Sequence, residues 1–156
     1  MLSERLATLG LTLPPVGAPL ASYVPARRSG RLLYLSGHVS RADGRVVAGV
    51  VGADIDAAQA QALARAIALD LLATAAAELG SVDDIAGVVR LTGYVRSAPG
   101  FEGQPAVING ASDLFVDVLG EAGRHARSAV GVSELPLGAA VEIEAIFEVA
   151  GEIRLM

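Results

Sequence analysis

One arginine and a run of glutamates near the end of the chain are the residue types best suited to chemistry. Arg127 lies in a strand-like segment at 126–132, and Glu142 and Glu144 alternate with apolar residues in a second segment at 139–149. An arginine presents a planar fork that matches a carboxylate, and a neighbouring glutamate can orient water or move a proton. The alternative is an ordinary solvated face, whose ion pairs are each worth less than about 1 kcal/mol.

The pairing of these two strands decides whether the charges can act together. They are predicted to form an antiparallel hairpin through the turn at 135–136, with the apolar side of each strand facing the core. Because successive side chains of a strand alternate between its two faces, this arrangement places Arg127 on the same face as Glu142 and Glu144, within about 5–8 Å of them. The same face also carries residues that do not favour water, namely Ala129, Gly131 and Ile146. Such a mixture indicates a subunit interface with embedded polar groups.

Other charged residues near this face have simpler interpretations. Glu144 and Glu148 are expected to pair with arginines such as Arg90 or Arg96 rather than to take part in chemistry. His125, just before the first of the two strands, is interpreted as a surface or loop histidine rather than a base.

Composition narrows the class of protein. A chain of 156 residues predicts a single domain, and 53% hydrophobic residues indicate a globular protein rather than a disordered one. The formal charge of −5 and the 4% content of aromatic residues argue against a nucleic-acid-binding platform.

Cysteine and histidine usage excludes several kinds of site. The chain has no cysteine, so disulfides, thiolate nucleophiles and cysteine zinc sites are excluded. His38 and His125 lie far apart without ligand spacing, so no metal site is expected. The N-terminus has no secretory pattern, and Asp70 interrupts the longest apolar stretch. We therefore expect a cytoplasmic protein with no membrane segment.

Periodicity and turn signals predict the elements. A long Ala- and Leu-rich segment at 56–79 ends before Gly80 and predicts a helix. A short helix is expected near the N-terminus with Ser3 as its cap, and a second main helix at 105–123, where Gly110 is the weak point. Strands are predicted in the segments 31–37, 45–52, 85–97, 126–132 and 139–149. This order predicts an α+β fold in which the two main helices cover one face of a mixed sheet.

Several motifs, taken in order, resemble one family. The segment "ARSAVGVSELPLGAAVEIEAI" resembles the C-terminal signature of the RidA (YjgF/YER057c/UK114) family, and "YLSGH" at 34–38 resembles that family's strand ending in Ser-Gly. Tyr23 precedes that strand at the family's interval, and "VINGASDLFVDVLG" resembles the segment that carries an asparagine before the second helix. The resemblance covers about residues 20–149. It divides the single domain into an N-terminal extension (1–19) and a core (20–150).

The resemblance implies a fold, an assembly and an activity. The fold is chorismate-mutase-like, and the assembly is a homotrimer with clefts between subunits. The activity is hydrolysis of enamines and imines such as 2-aminoacrylate to 2-oxo acids and ammonia, without a cofactor. Arg127 would clamp the substrate carboxylate and Glu142 would position the water. The residues that would line the pocket are Tyr23, Ser36, Gly37 and Asn109.

Departures from the family pattern keep other functions open. Ala129 stands where many members have cysteine, and His38 replaces the usual glutamine. One alternative is therefore a non-catalytic protein that binds small carboxylates. A weaker alternative is an endoribonuclease, an activity assigned to some relatives, which the negative charge of the chain disfavours.

Overall fold

A computed structural model describes residues 1–17 and 22–151. Its helices are α1 (Leu2–Thr8), α2 (Ala57–Leu79) and α3 (Gln104–Leu119). Its strands are β1 (Ala26–Ser29), β2 (Leu32–Val39), β3 (Arg41–Ala42), β4 (Arg45–Val46), β5 (Ile85–Arg96), β6 (Ala126–Val132) and β7 (Val141–Val149). The expected boundary between extension and core, at residues 19 and 20, lies outside the described residues.

The first main helix forms where its caps predict. Asp56 accepts a hydrogen bond from the backbone N–H of Gln59 at 2.8 Å, and the Gln59 side-chain oxygen accepts one from the backbone N–H of Asp56 at 3.0 Å. This reciprocal pair is a capping box. Gly80 ends the helix with a φ of 89°, a left-handed conformation that glycine adopts without strain. The predicted helix at 56–79 is confirmed.

The second main helix confirms the prediction at 105–123 with shorter bounds. Gly110 does not break it, because the glycine serves the packing between helices. A Cβ at Gly110 would collide with the carbonyl oxygen of Gln61 in α2. The Gln61 side chain also donates to the carbonyl of Ala106 at 2.7 Å, so α2 and α3 lie in close contact.

The short N-terminal helix is present, but Ser3 is not its cap. The N-cap is Met1, and Ser3 instead binds Asp83 through both its backbone N–H (2.8 Å) and its hydroxyl (2.7 Å). These bonds hold α1 against the turn after α2. Leu2 and Leu6 are buried with the main hydrophobic core.

The sheet has a different pairing from the predicted one. Its strand order is β1-β2-β7-β5-β6, and β3 and β4 form a separate two-stranded ribbon. β7 lies between β2 and β5 and is antiparallel to both, whereas β6 lies at the edge and runs parallel to β5. The predicted β6–β7 hairpin is therefore wrong, because β5 separates the two strands. The α+β class with a mixed sheet is confirmed.

The sheet has one covered face and one open face. The covered face packs against α2 and α3 through large, fully buried side chains such as Leu33, Leu91, Ile143 and Phe147. On the open face, Tyr34 and Val130 are each 44% exposed. No helix in the described part of the chain has the length and apolar character needed to cross a membrane.

Candidate functional site

Arg127 lies on the edge strand and reaches across the covered side of the sheet to α3. In the parallel register it is aligned with Leu91, a fully buried residue. Its Nη1 donates to Asn109 Oδ1 at 2.7 Å and to Ser112 Oγ at 3.2 Å, and its Nη2 donates to the carbonyl of Pro105 at 3.4 Å. The guanidinium is therefore held by three neutral acceptors from one helix.

The charge of Arg127 has no carboxylate partner among the described residues. Each of its three acceptors is neutral, and no ion pair includes it. The three hydrogen bonds use Nη1 and Nη2, so the Nε–H group donates to no acceptor among the described residues and can still bind a ligand. Two parallel N–H groups on one edge of a guanidinium are the geometry that binds a carboxylate bidentately. We term Arg127, Asn109 and Ser112 the arginine half-site.

Glu142 lies on the open face of β7, between Val39 of β2 and Tyr94 of β5. It is half-buried, and its carboxylate lies against the backbone of Gly37, where a Cβ would collide with Oε1. Burial raises the pKa of Glu142, and the negative charge of Glu144 raises it further. Among the described residues no arginine or lysine pairs with this carboxylate.

Ser36 connects the glutamate to the chain segment that contains Tyr23. The Ser36 hydroxyl donates to the carbonyl of Val24 at 2.7 Å, and its backbone N–H donates to the carbonyl of Pro25 at 3.0 Å. Tyr23 immediately precedes these residues and is 54% exposed. We term Glu142, Gly37 and Ser36 the glutamate half-site, and Tyr23 lies in the adjoining segment.

The predicted shared face of Arg127 and Glu142 is wrong. Because β6 pairs with β5 in parallel, Arg127 aligns with Leu91 on the covered face, while Glu142 aligns with Tyr94 on the open face. Two strand spacings and three residues along the strand separate their Cα atoms by about 14 Å. The two side chains also point to opposite faces, so one chain cannot bring them to one ligand. Glu144 is likewise on the open face, away from Arg127.

Of the other glutamates of β7, Glu148 pairs with an arginine as expected, although with neither of the two named, whereas Glu144 binds a tyrosine. Glu148 pairs with Arg31 at 2.9 Å, and Glu144 accepts a hydrogen bond from Tyr94 at 3.3 Å. Arg96, one of the expected partners, pairs with Glu134 at 3.0 Å. Among the described residues, Glu142 is therefore the glutamate of β7 that has neither an arginine partner nor a tyrosine hydrogen bond.

His38 supports the glutamate half-site from the covered face. The register of β2 shifts between Leu35 and His38, which is a β-bulge. The His38 Nδ1 lies 2.8 Å from the carbonyl oxygen of Ser36, and its Nε2 lies 3.0 Å from Thr74 Oγ1 in α2. The ring thus joins the bulge to α2 and fixes the backbone at Ser36 and Gly37. Sequence reasoning treated His38 only as a departure from a family pattern.

Ser112 and His125 were not among the predicted site residues. Ser112 Oγ lies 2.9 Å from His125 Nε2 as well as near Arg127, so His125 is a neighbour of the arginine half-site rather than an isolated loop residue. The sequence offers one signal, the short distance between His125 and Arg127 along the chain. No three potential metal ligands cluster anywhere in the described residues.

Comparison with known proteins identifies the class. The sheet and its helices match the chorismate-mutase-like fold seen in solved structures. One is the RidA protein of an Antarctic Psychrobacter, with a TM-score of 0.58, 28% identity, and coverage of 86% of this chain and 94% of that one. A second is Atu1372 of Agrobacterium tumefaciens, a protein of unknown function, with a TM-score of 0.86, 47% identity, and coverage of 96% and 94%.

Sequence comparison gives the family. The model of the family described as Endoribonuclease L-PSP matches residues 15–149. Protein TCP17 of Trypanosoma cruzi is 45% identical over 148 residues, which are 94% of this chain and 92% of that protein. The chain therefore belongs to the Rid family, also called RidA/YjgF/YER057c/UK114.

Proposed function

We propose that this protein hydrolyses reactive enamines and imines of the 2-aminoacrylate type to 2-oxo acids and ammonia, as a homotrimer with sites between subunits. The observation that supports this most directly is the pair of unpartnered charges. Within the described part of each chain, Arg127 lies among neutral acceptors and no cation pairs with Glu142. They lie about 14 Å apart on opposite faces. Membership of the Rid family supports the reaction class.

In the proposed site Arg127 binds the substrate carboxylate. Its Nε–H and one Nη2–H face the anion, while Asn109, Ser112 and Pro105 keep the guanidinium plane fixed. A preoriented arginine loses little conformational entropy on binding. Binding the carboxylate fixes the position of the neighbouring C2 atom, which is the atom that water attacks.

Glu142 acts on the water. An enamine first gains a proton at C3 and loses one from nitrogen, which gives the imine. Water then adds to C2 of the imine: the ionised carboxylate of Glu142 takes a proton from the water, and the imine nitrogen gains a proton from solvent, which gives a carbinolamine. Glu142 returns its proton to that nitrogen, the C2–N bond breaks to release ammonia, and the hydroxyl on C2 loses its proton to solvent as the C2=O bond forms. The products are a 2-oxo acid and ammonia, and no electrons are gained or lost. The substrate is already activated, so positioning supplies much of the acceleration, and no cofactor is needed.

Assembly brings the two half-sites together in this proposal. In a closed symmetric ring, the β6 edge of one protomer meets a different surface of the next, so Arg127 of one chain can face Glu142 of another. The open face supports such an interface, because Tyr34 and Val130 expose apolar surface there.

The activity is tested by trapping. An amino-acid oxidase or dehydratase generates the imine from an amino acid, semicarbazide traps it, and an active enzyme suppresses semicarbazone formation. Arg127→Ala and Glu142→Gln should each abolish that suppression. A correctly assembled wild-type trimer that suppresses nothing across several amino acids contradicts the activity.

Mixed trimers test whether the site lies between chains. Arg127→Ala and Glu142→Gln subunits are dissociated, mixed in equal amounts and reassembled. If each site takes its arginine and its glutamate from different chains, about one quarter of the sites in a random ring contain both. Activity should then return to about 25% of wild type, whereas each variant reassembled with itself stays inactive. No recovery in verified mixed trimers contradicts a site between chains.

A second candidate is a protein that binds small carboxylates without turnover. The arginine half-site favours it, because that half-site is complete within one chain and needs no second charge. Calorimetry with pyruvate distinguishes the two: binding that Arg127→Ala removes, together with no suppression of semicarbazone formation, supports the second candidate.

Ribonuclease activity is the third candidate, and the printed description of the matching family favours it. The formal charge of −5 opposes it, since RNA binding depends on cationic surface. RNA cleavage that copurifies with the protein and disappears in Arg127→Ala would support it.

A further inference from the structure

Arg127 is one end of a chain of hydrogen bonds that passes through a serine and a histidine to a backbone carbonyl. Its Nη1 lies 3.2 Å from Ser112 Oγ. Ser112 Oγ lies 2.9 Å from His125 Nε2, and His125 Nδ1 lies 2.7 Å from the carbonyl oxygen of Gly123. The ring of His125 also contacts Phe115 edge-to-face at a centroid distance of 6.0 Å.

The chemistry of the two ends fixes the direction of every bond. A carbonyl oxygen only accepts, so Nδ1 of His125 carries the proton and Nε2 of the neutral ring is an acceptor. The Ser112 hydroxyl therefore donates to His125 Nε2. Its lone pairs are left to accept from Arg127, which can only donate. One histidine tautomer thus aims the serine oxygen at the guanidinium.

We propose that Ser112 and His125 position Arg127 for its carboxylate ligand and couple occupancy of the arginine half-site to the protonation of His125. This rests on one part of the proposed function, the binding of a carboxylate by Arg127. His125 is a positioning residue here, since it acts through Ser112 and touches neither ligand nor reacting atoms.

The charges around His125 explain the coupling. Burial lowers the pKa of His125, the hydrogen bond to the Gly123 carbonyl opposes that shift, and the charge of Arg127 lowers the pKa further. The α3 residues in contact with the ring, Ser112 and Phe115, are uncharged. A carboxylate bound to Arg127 offsets the positive charge next to the ring, so it should raise the pKa of His125.

Two substitutions separate hydrogen bonding from packing. His125→Gln keeps an acceptor near the position of Nε2, whereas His125→Asn keeps only a donor near the position of Nδ1. Both lose the same ring and its contact with Phe115. A difference between them therefore reports on the bond to Ser112. Ser112→Ala removes that bond from the other side.

Binding of pyruvate, measured by calorimetry on the assembled protein, is the first readout. His125→Asn and Ser112→Ala should each weaken binding by about 3- to 10-fold, the range that one neutral hydrogen bond supplies. His125→Gln should stay within about 2-fold of wild type, since it preserves that hydrogen bond. Ser81→Ala is the control, because Ser81 is a half-buried serine that binds the backbone of Asp83 after α2.

Titration of the histidine ring by NMR is the second readout. The chain has 2 histidines, so the His125→Gln spectrum assigns both signals. His125 should titrate below an ordinary histidine in the free protein, and its pKa should rise when pyruvate saturates the site. It should also rise in Arg127→Ala, where the neighbouring charge is gone.

The outcomes separate this inference from the proposed function. If wild type binds no pyruvate, the carboxylate site itself fails. If wild type binds and Arg127→Ala does not, but His125→Asn and Ser112→Ala bind like wild type, the positioning role is overturned and the proposed function stands. An equal loss in His125→Gln and His125→Asn assigns the ring to packing and also overturns it.

Discussion

Replacing Gly37 with alanine should move the carboxylate of Glu142 without unfolding the protein. A Cβ at Gly37 would lie 3.1 Å from Cδ and 3.3 Å from Cγ of Glu142, and closer still to Oε1. Gly37 is not among the glycines with positive φ, so its backbone accepts alanine. The glutamate side chain is the part that must shift, by about 1 Å, to regain van der Waals separation.

The expected effects on stability and rate differ widely. Replacing glycine by alanine at a compatible position stabilises by about 0.4–1 kcal/mol through the unfolded chain, which offsets part of the cost of moving Glu142. The free energy of unfolding should therefore change by less than about 1 kcal/mol. A catalytic group misplaced by about 1 Å lowers the rate by about 100-fold. Pyruvate binding by Arg127 should be unchanged.

The assay compares kcat/KM for imine hydrolysis with urea unfolding and pyruvate binding. Gly17→Ala is the control, because Gly17 has ordinary φ and open space around a Cβ. In a Glu142→Ala background the Gly37 substitution should add no further loss, since its effect passes through the glutamate. A Gly37→Ala enzyme within 3-fold of wild type, or one that loses pyruvate binding, would refute the reasoning.

Three further predictions concern stability and assembly. Burial raises the pKa of Glu142, so ionisation of this carboxyl group destabilises the folded state as pH rises from the ordinary glutamate pKa through the pKa in the folded protein. In urea unfolding, Glu142→Gln should therefore be more stable than wild type at pH 8 and equal to it at pH 3. Gly93→Ala should destabilise by about 1–3 kcal/mol in thermal unfolding, since its methyl group would enter the space of Ile108 in the core. Val130→Asp on the open face should convert the proposed trimer to monomer in light scattering, whereas Leu9→Asp, at an exposed position just after α1, should not. A monomeric wild type or an intact Val130→Asp trimer contradicts this.

Most elements were predictable because their signals are local; of the strand predicted at 45–52, however, only Arg45–Val46 forms a strand, β4. The helix that ends at Gly80 has a capping residue, a periodic apolar face and a left-handed terminator within its own sequence. The strand at 126–132 was also predicted with its observed bounds. What was wrong was its partner. Strands that follow each other in sequence usually pair. Here β7 lies between β2 and β5 and pairs with both, and no local sequence pattern predicts that position.

The prediction of which β6 side chains face the core was wrong for a physical reason. Val130 and Val132, the apolar residues of this strand, were expected to face the core. On an edge strand they lie instead on the open face, where Val130 remains 44% exposed. Apolar residues on an edge strand therefore do not by themselves identify which face meets the core. The Ser112–His125 contact could not be predicted from the sequence either, because it depends on how α3 packs across the sheet.

The separation of Arg127 from Glu142 has a consequence for catalysis. Had they shared a face, as predicted, they would neutralise each other in an ion pair, and a ligand would have to break it. On opposite faces, neither charge has an oppositely charged partner among residues 1–17 and 22–151. Arg127 is held by neutral acceptors, and Glu142 pays a desolvation penalty that raises its pKa. In the proposed trimer, assembly places both around a substrate, where the arginine meets the ligand carboxylate and the glutamate meets water.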